Sequence, residues 1–354
     1  MNLFQKYLVE EFAEDYQEGH LTRREALKLI VGVTGSLFVA NSILAACAPP
    51  PETPAAALAA TATPAPDLPA ATDTTASTEA LPPTAASAPA DSPPTEAPPT
   101  EAPAATVSQP DPASLQGTVS PDDPAVQGSE VQFPGQDGAT LLGYLARPAV
   151  EGSYPMVLVC HENRGLTEHI KDVARRLAKA GYVALAVDLL SRQGGVSAFS
   201  SDDVPGALGN TAPDQFVQDF LSGWEYLKTL PYTQPERVGM VGFCFGGGVT
   251  WLMATEMPEL RAAVPFYGPH PPVEDVPKIQ AAVLAIYAER DQRINQGIPA
   301  IEEAMLQNNK IYEKVIYPNT DHAFHNDTGP RYNPEAAQDA WNRTLQWFER
   351  YLKG

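Results

Sequence analysis

The alternation of apolar runs with amphipathic segments over residues 140–352 predicts a sheet of buried strands joined by helices. Short continuous apolar runs occur at 156–160, 183–187 and 282–288, and such runs are typical of parallel strands covered on both faces. Between the first two runs, residues 167–180 place apolar side chains at helical spacing. Strand–helix alternation of this kind predicts an α/β fold, with a mostly parallel, twisted sheet and helices on both faces.

The same reading gives the remaining elements and the position of the chemistry. The predicted strands are 140–147, 156–160, 183–187, 238–242, 262–266, 282–288 and 311–317, and the predicted helices are 167–180, 214–230, 245–255, 298–307 and 334–352. Ligands of such sheets bind at the carboxyl ends of the strands. We therefore expect the functional residues just after Cys160, Gly242, Ala288 and Tyr317.

Composition divides the chain into three predicted segments: 1–46, 47–124 and 125–354. Of the 36 prolines, 19 lie between residues 48 and 124, together with ten acidic residues, no basic residue and no aromatic residue. Such a stretch cannot bury enough apolar surface to offset its ordering entropy, so we predict a disordered acidic tether. It also carries half of the net charge of −20. A chain this acidic is repelled by phosphate backbones, which excludes a nucleic-acid partner.

The first 47 residues have the layout of an export signal. Residues 22–28 resemble a twin-arginine motif, an apolar run follows from 29 to 46, and Leu-Ala-Ala-Cys at 44–47 resembles a lipobox. The resemblance implies cleavage before Cys47, lipid on that thiol and a membrane-anchored, extracytoplasmic protein. The alternative is an uncleaved membrane helix, for which eighteen apolar residues is about the lower limit. The acidic segment 10–18 is atypical of a signal.

Residues 242–246, Gly-Phe-Cys-Phe-Gly, match the strand–turn–helix pattern of a nucleophile elbow with cysteine in the serine position. The flanking glycines avoid steric clash with a strained turn. The following helix N-terminus favours a thiolate at Cys244, and the Phe245 N–H can donate to an oxyanion. The alternative is a buried structural cysteine in a tight turn.

A thiol nucleophile needs a base, and the base needs an orienting acid. In elbow-containing hydrolases these follow in the order nucleophile, acid, histidine. Asp291 and His322 stand after the expected strands and are predicted as acid and base. Glu289 competes for the acid position, and His325 competes for the base.

Three motifs together resemble the dienelactone hydrolase family: His-Glu-Asn-Arg-Gly at 161–165, Gly-Phe-Cys-Phe-Gly-Gly-Gly at 242–248 and Asp-His-Ala-Phe-His-Asn-Asp at 321–327. The resemblance implies an α/β-hydrolase that cleaves an ester or lactone of the carboxymethylenebutenolidase type. The catalytic triad would be Cys244, Asp291 and His322, the intermediate an acyl-enzyme, and no cofactor would be needed.

The resemblance assigns two further residues after the strand that ends at Cys160. Glu162 would interact with the resting thiol, and the Asn163 N–H would be the second oxyanion donor. From the residues alone, Glu162 is alternatively a surface carboxylate paired with Arg164. Cys160 itself is expected to pack as a small apolar side chain and to stay unpaired.

One departure from the family bears on the substrate. Family members bind an acidic substrate through arginines, and Asn326 stands where one of these is expected. Arg192 and Arg331 are the candidate substitutes. We therefore expect a small ester or lactone substrate other than dienelactone itself, acted on by a monomer or small homo-oligomer.

Two rival functions remain open. A thioesterase or peptidase could use the same scaffold, and a tethered binding lipoprotein could keep the fold without turnover. The spacing of histidines and cysteines predicts no metal site.

Overall fold

The computed structural model describes residues 1–47 and 117–354, in which one eight-stranded sheet carries the fold. The strands are β1 (Val126–Pro134), β2 (Thr140–Pro148), β3 (Tyr154–Cys160), β4 (Val183–Val187), β5 (Thr233–Phe243), β6 (Ala262–Phe266), β7 (Ala282–Ala288) and β8 (Tyr312–Tyr317). Their spatial order is β1-β2-β4-β3-β5-β6-β7-β8. The pairs β1–β2 and β2–β4 are antiparallel, and every other neighbouring pair is parallel. The predicted mostly parallel α/β sheet is confirmed.

Ten α-helices accompany the strands in the described residues. They are α1 (Leu3–Gln17), α2 (Arg23–Thr34), α3 (Leu37–Ala46), α4 (Glu168–Lys179), α5 (Val204–Gly209), α6 (Pro213–Lys228), α7 (Phe245–Glu256), α8 (Gln292–Asn295), α9 (Ile298–Gln307) and α10 (Pro334–Phe348). Short 3₁₀ turns span Ser191–Gln193, Val196–Ala198 and Val273–Lys278, and a π-helical turn spans Glu349–Lys353. Every residue of β4, β6 and β7 is buried, as strands covered by helices on both faces require.

The differences from the predicted elements occur where hydrophobic pattern is weakest. Strand β1 was not predicted because most of its residues are exposed, as is common for an edge strand. Residues just before position 125 also contact the domain. Val119 is buried, and its backbone accepts a hydrogen bond from Arg175 and donates one to Asp172. Most of the predicted tether, 48–116, lies outside the described residues.

The three N-terminal helices pack against the sheet domain and share its hydrophobic core. The Phe4 ring of α1 lies 5.5 Å from that of Phe216 and 4.9 Å from that of Phe245. The apolar run 29–46 is divided by Gly35, whose φ of 67° ends α2 before α3 begins. Among residues 1–47 and 117–354, no helix is long and apolar enough to cross a membrane.

Candidate active site

Cys244 occupies the sharp turn between β5 and α7. Its backbone φ of 59° and ψ of −121° lie in a region that residues other than glycine rarely adopt. The glycines on either side make the turn possible. A Cβ at Gly242 would lie 2.1 Å from the Gly246 carbonyl oxygen, and one at Gly246 would lie 2.5 Å from that of His161. The turn therefore has the geometry of a nucleophile elbow.

The loops after β7 and β8 bring an acid and a base to this cysteine. His322 Nδ1 lies 2.6 Å from Asp291 Oδ2. Because the carboxylate only accepts, Nδ1 donates and the neutral ring has Nε2 as its acceptor. A ring nitrogen of His322 also lies within 4.8 Å of the Cys244 sulfur. Asp291 is also the N-cap residue of α8, and its Oδ1 accepts a hydrogen bond from the Ile294 N–H.

The electrostatics of the three groups follow from burial and from their mutual charges. Burial opposes ionisation of Asp291, but His322 holds the pKa of its carboxyl below the usual value. Burial alone would lower the pKa of His322, yet the negative charge of Asp291 raises it above the usual value, and an ionised Cys244 sulfur would raise it further. Burial, followed by the charge of Glu11, raises the pKa of the Cys244 thiol. The resting sulfur is therefore a neutral thiol.

The two competing residues lie elsewhere. Glu289 is exposed, and its carboxylate accepts a hydrogen bond from the Asn319 N–H. His325 is buried, its ring stacks 4.9 Å from that of Phe243, and burial holds its pKa well below the usual value. Neither has the contacts of the acid or the base.

Helix α1 supplies two further side chains to the same sulfur. Tyr7 Oη lies 3.2 Å from Cys244 Sγ and 3.3 Å from His322 Nε2. The Cys244 thiol donates to Glu11 Oε1 over 3.6 Å, and the Asn163 side-chain amide donates to the same oxygen over 3.1 Å. Tyr7 and Glu11 are 2% and 5% exposed. Residues 1–46 therefore form part of this site.

Glu162 is buried but differently engaged than the family resemblance implied. Its Oε2 accepts a hydrogen bond of 2.6 Å from Asn326 Nδ2, whereas the carboxylate hydrogen-bonded to the thiol is that of Glu11. Burial raises the pKa of Glu162. The alternative of a surface carboxylate paired with Arg164 is wrong, because Glu162 is only 6% exposed.

A cavity of 320 Å³ opens beside the thiol. Its wall includes Cys244 and His322 from the sheet domain and residues of α1 and α2. The charged or polar side chains on it are Glu11, Asp15, Glu162, Asn163, Arg164, Asn326, Thr328 and Arg331. Three carboxylates thus face two guanidinium groups across this space.

The two predicted substrate-binding arginines have different positions. Arg331 lines the cavity, and its guanidinium binds Asp15 of α1 over 3.0 Å. Arg192 does not line it, so the predicted substrate role of that residue gains no support from its position. Its guanidinium is already bound by Asp137 and by the fully buried Asp219, which leaves its charge neutralised away from the thiol.

The remaining cysteines are unpaired, as expected for Cys160. That residue is fully buried at the end of β3, and burial raises the pKa of its thiol well above the usual value. Cys47 is a free, partly exposed thiol directly after α3. Phe245 is the first residue of α7, so helix geometry leaves its N–H without an intrahelical partner.

The described residues bring a carboxylate, a thiol and an imidazole close together at the site. Atoms of Glu11, Cys244 and His322 lie within 4.8 Å of one another, and hydrogen bonds already engage them, since the thiol donates to Glu11 and Asp291 binds the His322 ring. The three residues come from distant segments, so no local spacing could predict the set. A second group at the surface comprises Asp15, Glu18 and His20.

The residues that the sequence analysis missed are those of α1. Their signal was present: Phe4, Tyr7, Leu8, Glu11 and Phe12 recur at helical spacing. Asn2 and Gln5 also form a capping box at the start of the helix. The resemblance to an export signal removes this segment from the predicted fold, so its amphipathic pattern does not lead to a predicted helix of the domain.

Comparisons with known proteins identify the family of this chain. Residues 141–352 match the family model of the "Dienelactone hydrolase family". A protein named "Putative carboxymethylenebutenolidase" from Methylorubrum extorquens is 38% identical over 253 residues, covering 68% of this chain and 87% of that protein. One of the same name from Synechocystis is 36% identical, covering 63% and 96%. The crystal structure of a "Putative Dienelactone Hydrolase" from Klebsiella pneumoniae superposes with a TM-score of 0.60 at 33% identity, covering 64% and 100%.

Proposed function

Since the chain belongs to the dienelactone hydrolase family, whose members hydrolyse ester or lactone bonds, we propose that it cleaves such a bond through Cys244, His322 and Asp291. The observation that carries this proposal is the 2.6 Å hydrogen bond between Asp291 and a histidine that also interacts with a thiol in a strained elbow. Nothing else in the described residues combines a nucleophile, a base and an orienting acid in this way.

Acylation begins when the thiol proton moves to His322 Nε2 and Sγ attacks the substrate carbonyl carbon. The new S–C bond pushes the carbonyl electron pair onto oxygen, where the N–H groups of Phe245 and Asn163 stabilise the charge. Collapse of this intermediate breaks the C–O bond, and His322 returns its proton to the leaving alkoxide. Asp291 keeps Nδ1 as the donor and stabilises the imidazolium throughout.

Deacylation repeats the sequence with water. His322 takes a proton from water, and the hydroxide attacks the thioester carbonyl carbon. The C–S bond then breaks, and the sulfur recovers the proton from His322 to restore the resting thiol. For a lactone, the alkoxide and the acid belong to one product molecule, so a single ring-opened hydroxy acid leaves.

The charges around the cavity support an uncharged substrate. Glu11, Asp15 and Glu162 line the space with two arginines, of which Arg331 is already bound to Asp15, so that Arg164 remains, and Asn326 replaces the expected arginine. An acidic substrate would therefore meet more negative than available positive charge. A small neutral ester or lactone fits the cavity of 320 Å³ better. A thioesterase or peptidase activity would appear in the same substrate panel.

The predicted export and lipid attachment at Cys47 stay predictions, and they compete with a site that includes α1, because cleavage before Cys47 would remove Tyr7 and Glu11. They rest on the arginine pair at 23–24 and on residues 44–47. They are tested by fractionating cells that make the protein and by searching for diacylglycerol on the Cys47 peptide. Lipid on that peptide would support them, and an intact chain without lipid would contradict them.

The activity is tested with the purified full-length chain under reducing conditions, using p-nitrophenyl acetate and a panel of small lactones. We expect Cys244→Ala to lower kcat by about 10³-fold or more. The matched control is Cys160→Ala, which removes the other buried thiol of the domain and should keep most of the activity. Equal turnover by the wild type and Cys244→Ala would contradict the proposal. Inert esters together with an unreactive Cys244 would favour a binding protein.

A further inference from the structure

We propose that helix α1 is a working part of the active site, in which Glu11, rather than Glu162, holds the resting Cys244 thiol. This inference rests on the proposed function, because it assigns a role within the same thiol-dependent reaction. It extends that function to a segment that the sequence interpretation assigned to an export signal.

Helix α1 is held on the domain by both charge and packing. Arg293, which follows Asp291 by two residues, bonds Glu14 over 3.0 Å and places its guanidinium 4.6 Å from the Tyr7 ring centre. Arg331 bonds Asp15 over 3.0 Å. These contacts come from the loops that also carry the acid and the base. The helix is therefore docked on the catalytic loops themselves.

The Glu11 carboxylate accepts a hydrogen bond from the Cys244 thiol. Its Oε1 lies 3.6 Å from Cys244 Sγ and 3.9 Å from His322 Nε2. The Asn163 amide fixes that oxygen from the opposite side. Glu162 uses its Oε2 to bind Asn326 instead. A buried negative charge next to a thiol favours the protonated form, so Glu11 keeps the resting sulfur neutral.

Tyr7 acts on the base in the same resting state. In the neutral His322 ring, Nδ1 donates to Asp291 and Nε2 is the acceptor, and the Tyr7 hydroxyl lies 3.3 Å from this Nε2. That hydroxyl occupies the lone pair that must take the thiol proton during acylation. A substrate that enters the cavity has to displace the hydroxyl before the proton can move from sulfur to nitrogen.

The test reads the ionisation of Cys244 directly. The groups that influence this thiol are Tyr7 and Glu11 of α1, Cys160 and Glu162 at the end of β3, Tyr267 after β6, and His322 and Arg331 after β8. The full-length chain is alkylated with iodoacetamide between pH 5 and about 10, and the Cys244 peptide is quantified by mass spectrometry. The reading is the midpoint of the rate against pH, and hydrogen exchange across residues 3–17 is measured beside it, since an opened site would also lower the midpoint by exposing the thiol to water.

We expect Glu11→Gln to move this midpoint to lower pH by about one unit, because it removes the like charge beside the sulfur. Glu11→Asp, which keeps the charge, should leave the midpoint near the wild-type value. Glu10→Gln is the matched control, since Glu10 neighbours Glu11 on α1 but has a side chain that is 43% exposed. An unchanged midpoint in Glu11→Gln, or an equal or larger shift in Glu162→Gln, would overturn the proposal.

A second measurement tests whether the working protein keeps α1. The intact mass of the protein isolated from cells that make it should include residues 3–17. A mature chain that begins at Cys47 would overturn the proposal, because Tyr7 and Glu11 would then be absent. Neither measurement depends on turnover, so loss of the proposed hydrolase activity would be recognised separately.

Discussion

The Cys244 sulfur has two sides that are built in different ways. On one side, Asp291 and His322 come from loops at the carboxyl ends of neighbouring strands. On the other, Tyr7 and Glu11 come from a helix more than 200 residues earlier in the chain. Sheet topology determines the first side, whereas only the packing of an amphipathic helix determines the second. The comparison shows that the residues at the strand ends are not the whole site.

The largest effect is expected on the sheet side, from Asp291→Asn. The change lets His322 present the wrong ring nitrogen, and we expect kcat to fall by about 10³-fold or more. Asp321→Asn, an exposed carboxylate beside the same histidine, is the control and should be nearly neutral. A loss of kcat below tenfold in Asp291→Asn would show that Asp291 does not orient His322 as the base.

The same variant also has a pH signature. Asp291 raises the pKa of His322 in the wild type, so activity should rise with pH through a midpoint above about 6.5, the usual histidine value. Removing the aspartate charge lowers that pKa, so the midpoint of the residual activity moves to lower pH. An unchanged midpoint would show that the rise of activity with pH reflects the ionisation of a group other than His322.

A second variant weakens the helix side without touching the thiol. Phe4 is fully buried against Phe216 and Phe245, and Phe4→Ala should cost about 3 kcal/mol of α1 docking. Hydrogen exchange should then accelerate across residues 3–17 while the central strands stay protected. Phe38→Ala is the control, because that ring on α3 is 82% exposed. Uniform exchange across the whole domain would contradict separate docking of α1.

The smallest effect on the site is expected from Arg192→Ala. Its guanidinium pairs with the buried Asp219, outside the cavity. The variant should lower Tm, because it leaves that carboxylate without its partner, and should leave KM unchanged. Lys228→Ala, which removes an exposed pair with Glu225, should change neither. A raised KM in Arg192→Ala would restore the substrate role that the structure does not support.

The sequence analysis succeeded where short-range pattern and topology determine position. The elbow at 242–246 can be predicted from sequence because glycine is required on both sides of the strained cysteine. Buried apolar runs such as 262–266 and 282–288 match their strands residue for residue. Strand β1 was missed because an exposed edge strand has little apolar pattern.

The role of α1 could not be predicted in this way. A helix that docks from a distant segment leaves its own periodicity in the sequence but no record of what it contacts. The resemblance also pointed to Glu162, whose neighbour Asn326 turns its carboxylate away from the role that the family implies. Asparagine at position 326, where the family resemblance implies arginine, thus gives Glu162 a hydrogen-bond partner other than the thiol.

The central claim is that Cys244 carries the acyl group during turnover. Mixing the full-length chain with excess p-nitrophenyl acetate, quenching in acid within the first turnover and digesting the protein would locate any acetyl group by mass. We predict an acetylated peptide containing Cys244 that forms faster than it decays and is absent from Cys244→Ala. Hydrolysis that continues with no acetyl group on Cys244, or with one on another residue, would contradict the account.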